Sequence, residues 1–251
     1  MTKRPTRGPC VYCLKERERT WDHVLPAAWY PDSTPTDIEK WKVPACLSCN
    51  NRLGKAESEV LVRLALCLDP NDPKSRGITQ KAVRSLNPRF GKSEKDRQAR
   101  ERKRKQILKE SEDLGPDLPI EHLLPGFGPQ PDFGPGPHHA TLVKQRDLDA
   151  VSDKIIRGLT FLREAIPLPH EYTVNIYFIR ESGNNPVQRM FDNAGGTLTR
   201  GPGFLVKYGV LAGDRLAGIY MIDIWGRLRF YASVLPPGMH LPPGGDTLTS
   251  A

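Results

Sequence analysis

The residues that could do chemistry lie between positions 10 and 55. Cys10-Val-Tyr-Cys13 and Cys46-Leu-Ser-Cys49 form two C-x-x-C knuckles, Asp22-His23 lies between them, and Asn50 follows directly on the last cysteine. Two thiolates at i and i+3 on a tight turn cover one face of a tetrahedral ion, so two such turns complete a four-cysteine Zn2+ site. The competing reading is two separate buried or disulfide-bonded pairs. Residues 1–9 are basic and lack the apolar core of a secretory signal, which favours a cytoplasmic, reducing setting and therefore zinc. Asp22 offers a hard oxygen suited to Mg2+ or Mn2+, and His23 can accept a proton near neutral pH. Asn50 adds a second oxygen ligand. Two protein ligands leave positions open for water and a phosphate oxygen, as metal-assisted phosphodiester hydrolysis requires. Taken alone, His23 reads as a surface or hydrogen-bonded histidine; its neighbours are what favour the base.

The combined pattern C-x-x-C … D-H-V-x-P … V-P-A-C-x-x-C-N-x-x-x-G-K, over residues 10–55, resembles the HNH endonucleases with a zinc-stabilised ββα-metal fold. The resemblance implies His23 as the general base, with Asp22 and Asn50 holding one catalytic Mg2+ or Mn2+. It also implies DNA as the substrate, with Arg52 and Lys55 near the scissile phosphate. The family's central Asn, which braces the hairpin loop and orients the histidine, aligns here with Trp41.

Positioning these groups requires an antiparallel hairpin and a following helix. Residues 24–30 and 41–45 are expected to supply the strands, and residues from about 49 to 68 the helix. A hairpin of this size is too small to be stable alone, which gives a structural zinc its role. Cys67, inside the apolar run that closes the helix, reads as a small core residue.

The wider chain has 251 residues, a net charge of +8 and a pI near 9.3, which favour a polyanionic partner. No apolar run reaches the ~18 residues of a membrane span, which excludes a helical membrane protein. The expected organisation begins with a basic arm (1–9), an HNH domain (10–70) and a basic helical segment (71–114). A Pro/Gly-rich linker (115–140), an α+β accessory domain (141–235) and a disordered tail (236–251) follow.

Lys92–Lys109 carries nine Lys/Arg against three Asp/Glu, and Arg100, Arg102, Lys103 and Arg104 are its candidate DNA contacts. The adjacent His138 and His139 read as surface residues. Leu148, Val151, Ile155, Leu159 and Leu162 recur at spacings of three and four, predicting a helix over 147–165. Strands are expected at 173–179, 203–210, 216–224 and 227–235, the last two as an antiparallel hairpin, with a short helix over 186–193.

The fold class expected is therefore α+β: a zinc-braced ββα-metal domain, a linker, and an antiparallel sheet packed with helices. The function expected is a metal-dependent HNH-type DNA endonuclease. Cutting both strands with one site per chain would favour a homodimer or two successive nicks. The alternative is a non-catalytic zinc-containing DNA-binding or adaptor protein with a degenerate HNH fold, which Trp41 favours.

Overall fold

The computed structural model describes residues 5–114, 123–128, 138–180, 189, 191 and 195–239. Most of the expected linker, the expected helix over 186–193 and the tail beyond 239 lie outside these residues.

The fold is mixed α+β. A two-residue pair, β1 (Gly8–Pro9) and β2 (Glu16–Arg17), flanks the first knuckle. Strand β3 (Arg19–His23) then pairs antiparallel with β4 (Lys42–Cys46), with Asp22 opposite Val43 and His23 opposite Lys42. Strand β4 runs directly into α1 (Leu47–Leu64). Cys46 is the N-cap of α1, its sulfur accepting from the Cys49 amide, and Cys49, Leu53, Ala56, Val60 and Leu64 form a buried stripe along the helix.

The first strand of this hairpin lies five residues earlier than expected. Val24, Leu25, Trp29 and Tyr30 are buried, but in a loop with a 3-10 turn at Ala27–Trp29. Pro26 starts that turn, and its missing N–H suits a turn better than a ladder. The apolar residues of this loop are spent on tertiary contact. Trp29 packs on Trp225 at 5.2 Å between ring centroids, Tyr30 on Phe204 at 4.7 Å, and the Trp225 Nε1–H donates to the Trp29 carbonyl at 2.7 Å.

Beyond α1, Cys67 closes a 3-10 extension and is exposed, correcting its expected place in the core. Helix α2 (Ile78–Leu86) and helix α3 (Glu94–Lys109) are separated by the Asn87-Pro88 break. Ser93 caps α3 by accepting from the Asp96 amide, and Glu94 and Asp96 complement its positive N-terminal end. Strands β5 (Ser111–Leu114) and β6 (His138–Thr141) pair antiparallel ahead of helix α4 (Gln145–Glu164). In α4, Leu148, Val151, Ile155 and Leu159 are buried as their spacing requires, while Leu162 is partly exposed.

The remaining strands are β7 (Thr173–Tyr177), β8 (Gly196–Thr199), β9 (Phe204–Leu211), β10 (Asp214–Ile224) and β11 (Leu228–Leu235). They form one antiparallel sheet of order β7-β11-β10-β9-β8, a strand more than the sequence pattern suggests. The β10–β11 turn places Trp225 and Gly226 at positive φ, and Trp225 is held there by its burial against Trp29.

The buried residues of the hairpin, α1, α2, α4 and one face of the sheet form a single apolar cluster. Helix α4 reaches the hairpin loop at Gly158, where a Cβ would stand 2.8 Å from the Val24 side chain. Only a residue without a side chain allows this approach. Among the described residues no helix is long and apolar enough to cross a membrane.

Candidate metal and hydrolytic site

The four knuckle cysteines meet. The sulfurs of Cys10, Cys13, Cys46 and Cys49 all lie within 4.8 Å of one another, and none is in a disulfide. Zn–S bonds of ~2.3 Å in a tetrahedron imply neighbouring sulfurs about 3.8 Å apart, and Cys13 Sγ and Cys46 Sγ are separated by 3.9 Å. Backbone amides already point at the sulfurs, Cys46 N–H at Cys10 Sγ (3.3 Å) and Cys49 N–H at Cys46 Sγ (3.5 Å). The Val11 amide bonds the Pro44 carbonyl at 3.1 Å, tying the first knuckle to β4. Burial pushes the Cys10 and Cys49 thiols above their usual range, so thiolates here call for a cation. The donor set, spacing and burial suit a structural metal ion such as zinc.

Asp22 and His23 close strand β3, while Asn50 sits beside the knuckle, directly after Cys49 in the first turn of α1. Asp22 turns inward and is 7% exposed. Its carboxylate meets the ammonium of Lys154, a fully buried residue of α4, with Nζ 3.3 Å from Oδ1 and 3.2 Å from Oδ2. Lys154 also donates to Glu57 of α1. One ammonium thus joins a strand and two helices. Burial raises the Glu57 carboxyl, Lys154 opposes the rise, and Asp22 adds to it. Asp22 Oδ2 has no partner in hydrogen-bonding geometry among the described residues, and neither has the buried Tyr12 hydroxyl. Burial, and then the nearby Asp22 charge, hold the Tyr12 phenol well above its usual range, so it stays protonated.

His23 neighbours Asp22 on β3, where successive side chains take opposite faces. It is half-buried, and its side chain makes no hydrogen bond or ion pair among the described residues. Burial lowers its imidazole below the usual value, Lys42 adding to the effect and Asp22 opposing it. Asn50, in the first turn of α1, donates through Nδ2 to Thr20 Oγ1 at 3.1 Å and to the Trp21 carbonyl at 3.4 Å. It therefore clasps the helix to the residue just before Asp22, leaving its amide oxygen as an acceptor.

Trp41, at the position of the resemblance's central Asn, contributes through its backbone. Its carbonyl accepts from the Val24 amide at 3.0 Å, closing the hairpin immediately after His23. Its ring is covered by the Arg200 guanidinium, 4.6 Å from the centroid.

The basic residues are placed less simply. Arg52 and Lys55 line an open cleft of about 500 Å3 with Lys144 and Arg146. At ~100° per residue, they lie roughly 140–200° around α1 from Asn50, away from the hairpin face. On α3, Arg100 pairs with Asp96 and donates to the Arg84 and Ser85 carbonyls, Lys103 pairs with Glu59, and Arg104 pairs with Glu101. Arg102 is exposed. Lys154, Glu57 and Tyr12 are the polar residues of the site that sequence reasoning missed. A lysine within an apolar helical stripe was the one available signal.

Comparison with protein-family models, with curated proteins and with solved structures finds no match for this chain.

Proposed function

We propose that this chain is a metal-dependent HNH-type endonuclease hydrolysing DNA phosphodiester bonds. The observation that carries the reading is the continuity of the hairpin and helix. Strand β3 ends on Asp22-His23, β4 passes through Cys46 into α1, and Asn50 in the first turn bonds back to the Trp21 carbonyl. A base, a carboxylate and an amide oxygen are thus carried on one continuous unit, with His23 and Asp22 as successive residues on opposite faces of β3.

Zn2+ on Cys10, Cys13, Cys46 and Cys49 would brace the end of this unit. The Asp22 carboxylate, which Lys154 already approaches at 3.2 Å, and the amide oxygen of Asn50 would be the ligands for Mg2+ or Mn2+, which when bound would stabilise charge developing on the phosphate. His23, free of partners among the described residues, takes the proton from the attacking water. Asp22 and Asn50 would hold the ion on the phosphate side, and the Val24–Trp41 backbone bond keeps the imidazole at the strand end.

One observation favours a second reading, a non-catalytic zinc-containing DNA-binding adaptor: Lys154 already stands against the Asp22 carboxylate and supplies it with positive charge. A plasmid-nicking assay with Mg2+ or Mn2+, and EDTA as control, separates the two. Removing a general base costs ~10²–10⁴ in rate, so His23→Ala should nearly abolish nicking with zinc content unchanged. Cleavage by that variant at the parental rate would refute the role of His23. Tight binding of DNA with no strand breakage would establish the adaptor.

A further inference from the structure

The cleft between α1 and α4 gathers four cationic side chains, three of them without an ion pair among the described residues. Arg52 and Lys55 enter it from α1, Lys144 and Arg146 from the start of α4. Its two carboxylates differ in status. Glu59 is committed elsewhere, to Arg63 at 2.6 Å and Lys103 at 2.8 Å. Asp147 stands 3.7 Å from Arg146 and is, among the described residues lining the cleft, the carboxylate left to face the four cations. Glu110, close enough to Lys144 to feel its charge, is already bonded by Arg63 and Gln106.

A backbone feature adds to this charge. Helix α4 begins at Gln145 with Lys144 as its N-cap, and no side chain caps it. The Asp147 amide already bonds the Lys144 carbonyl at 2.9 Å, and the positive end of the dipole lies beside Lys144 and Arg146, which line the cleft. On α3, the most basic stretch of the sequence, five of the cations are tied down by ion pairs, while Lys95, Arg102 and Lys109 leave the helix net positive. Arg97, Arg100, Lys103, Arg104 and Lys105 each pair with a carboxylate on α3 or α1.

We propose that this cleft is the docking track for the sugar-phosphate backbone of duplex DNA. The cations flank an open channel, whereas small-molecule sites enclose most of their ligand, so a strand passing through fits better than a free phosphate. The charge distribution is independent of any catalytic role. The choice of DNA rests on the hydrolase reading above. Because Arg52 and Lys55 lie on the side of α1 away from Asn50, the track grips the backbone at a distance from the bond that is cut. Its loss should therefore act on KM and binding and spare kcat.

The test is fluorescence anisotropy of a labelled 25-base-pair duplex with the full chain, across a salt series. Each phosphate contact contributes about 0.9 to the slope of log affinity against log salt. Lys144→Ala/Arg146→Ala should lower that slope by roughly two and weaken binding on the order of tenfold or more at low salt. The α3 variant Lys95→Ala/Arg102→Ala/Lys109→Ala should lose less affinity than the cleft variant does, and unchanged melting of both variants confirms folding. Parental affinity and slope in the cleft variant would overturn the proposal. So would loss of binding in the α3 variant alone, displacement of DNA by millimolar inorganic phosphate, or failure of the parent to bind duplex. None of these readouts needs cleavage, so an inactive His23 would sink the hydrolase reading while leaving the docking track to stand or fall by itself.

Discussion

Replacing Lys154 with methionine should strip the hairpin of its internal counter-charge. In the parent protein one buried ammonium faces Asp22 and Glu57, whose side chains are 9% and 16% exposed. Lys154→Met fills much the same volume and leaves two carboxylates facing each other out of water. Breaking a buried ion pair by removing one partner costs ~3–5 kcal/mol. For a chain of this length that corresponds to a fall in Tm on the order of 10 °C.

The pH dependence gives a sharper signature. Burial already holds Glu57 above the usual carboxylate range, and Lys154 is the group pulling it back. Without the lysine, the folded-state pKa of Glu57 rises further above its unfolded value. A raised carboxyl is stable when protonated, so the variant keeps more stability below the unfolded pKa and loses it as pH rises through the folded one. The deficit should be largest at pH 7.5 and shrink towards pH 5. Adding Glu57→Gln at pH 7.5 should recover part of it by removing one of the two charges. Thermal melts by circular dichroism at both pH values check this. Melting within 2 °C of the parent at both would mean that the lysine holds nothing together, and the account of the site's interior would be wrong.

Two further outcomes follow from the metal centre and the aromatic contacts. The purified chain should carry about one zinc per molecule by elemental analysis. Chelation or Cys49→Ser should lower Tm by many degrees and expose tryptophan fluorescence, because structural zinc contributes folding energy directly. Trp225→Phe removes the donor bonded to the buried Trp29 carbonyl at 2.7 Å. An unsatisfied buried acceptor costs ~1–3 kcal/mol, so a fall in Tm of roughly 3–8 °C is expected in a scanning melt.

Much of this fold can be read from local pattern. The C-x-x-C spacing is dictated by ligand geometry, and the four sulfurs meet as that geometry asks. Helix α4 follows from its apolar repeat, and the β10–β11 hairpin from two strong strands around Trp225-Gly226. Where pattern fails, distant partners decide. Val24–Tyr30 has the composition of a strand but is a loop, since Trp225 and Phe204 offer its aromatic rings a better place to bury. The true strand, Arg-Thr-Trp-Asp-His, is mostly polar because its inward residue is a carboxylate. That carboxylate's partner lies 132 positions away and could not be inferred from spacing. Strand β8 is only four residues long at the sheet edge, too short to leave a clear alternation.

Gly158 touching Val24 has an evolutionary corollary. Where a helix backbone rests directly on the turn behind His23, the first fifty-odd residues are poor material for a portable cassette. Grafted onto another protein, they would arrive with Trp29 and Tyr30 stripped of their cover and Asp22 without its ammonium. Lineages carrying this arrangement should inherit the knuckles and α4 together, and shuffling that separates them should leave insoluble fragments.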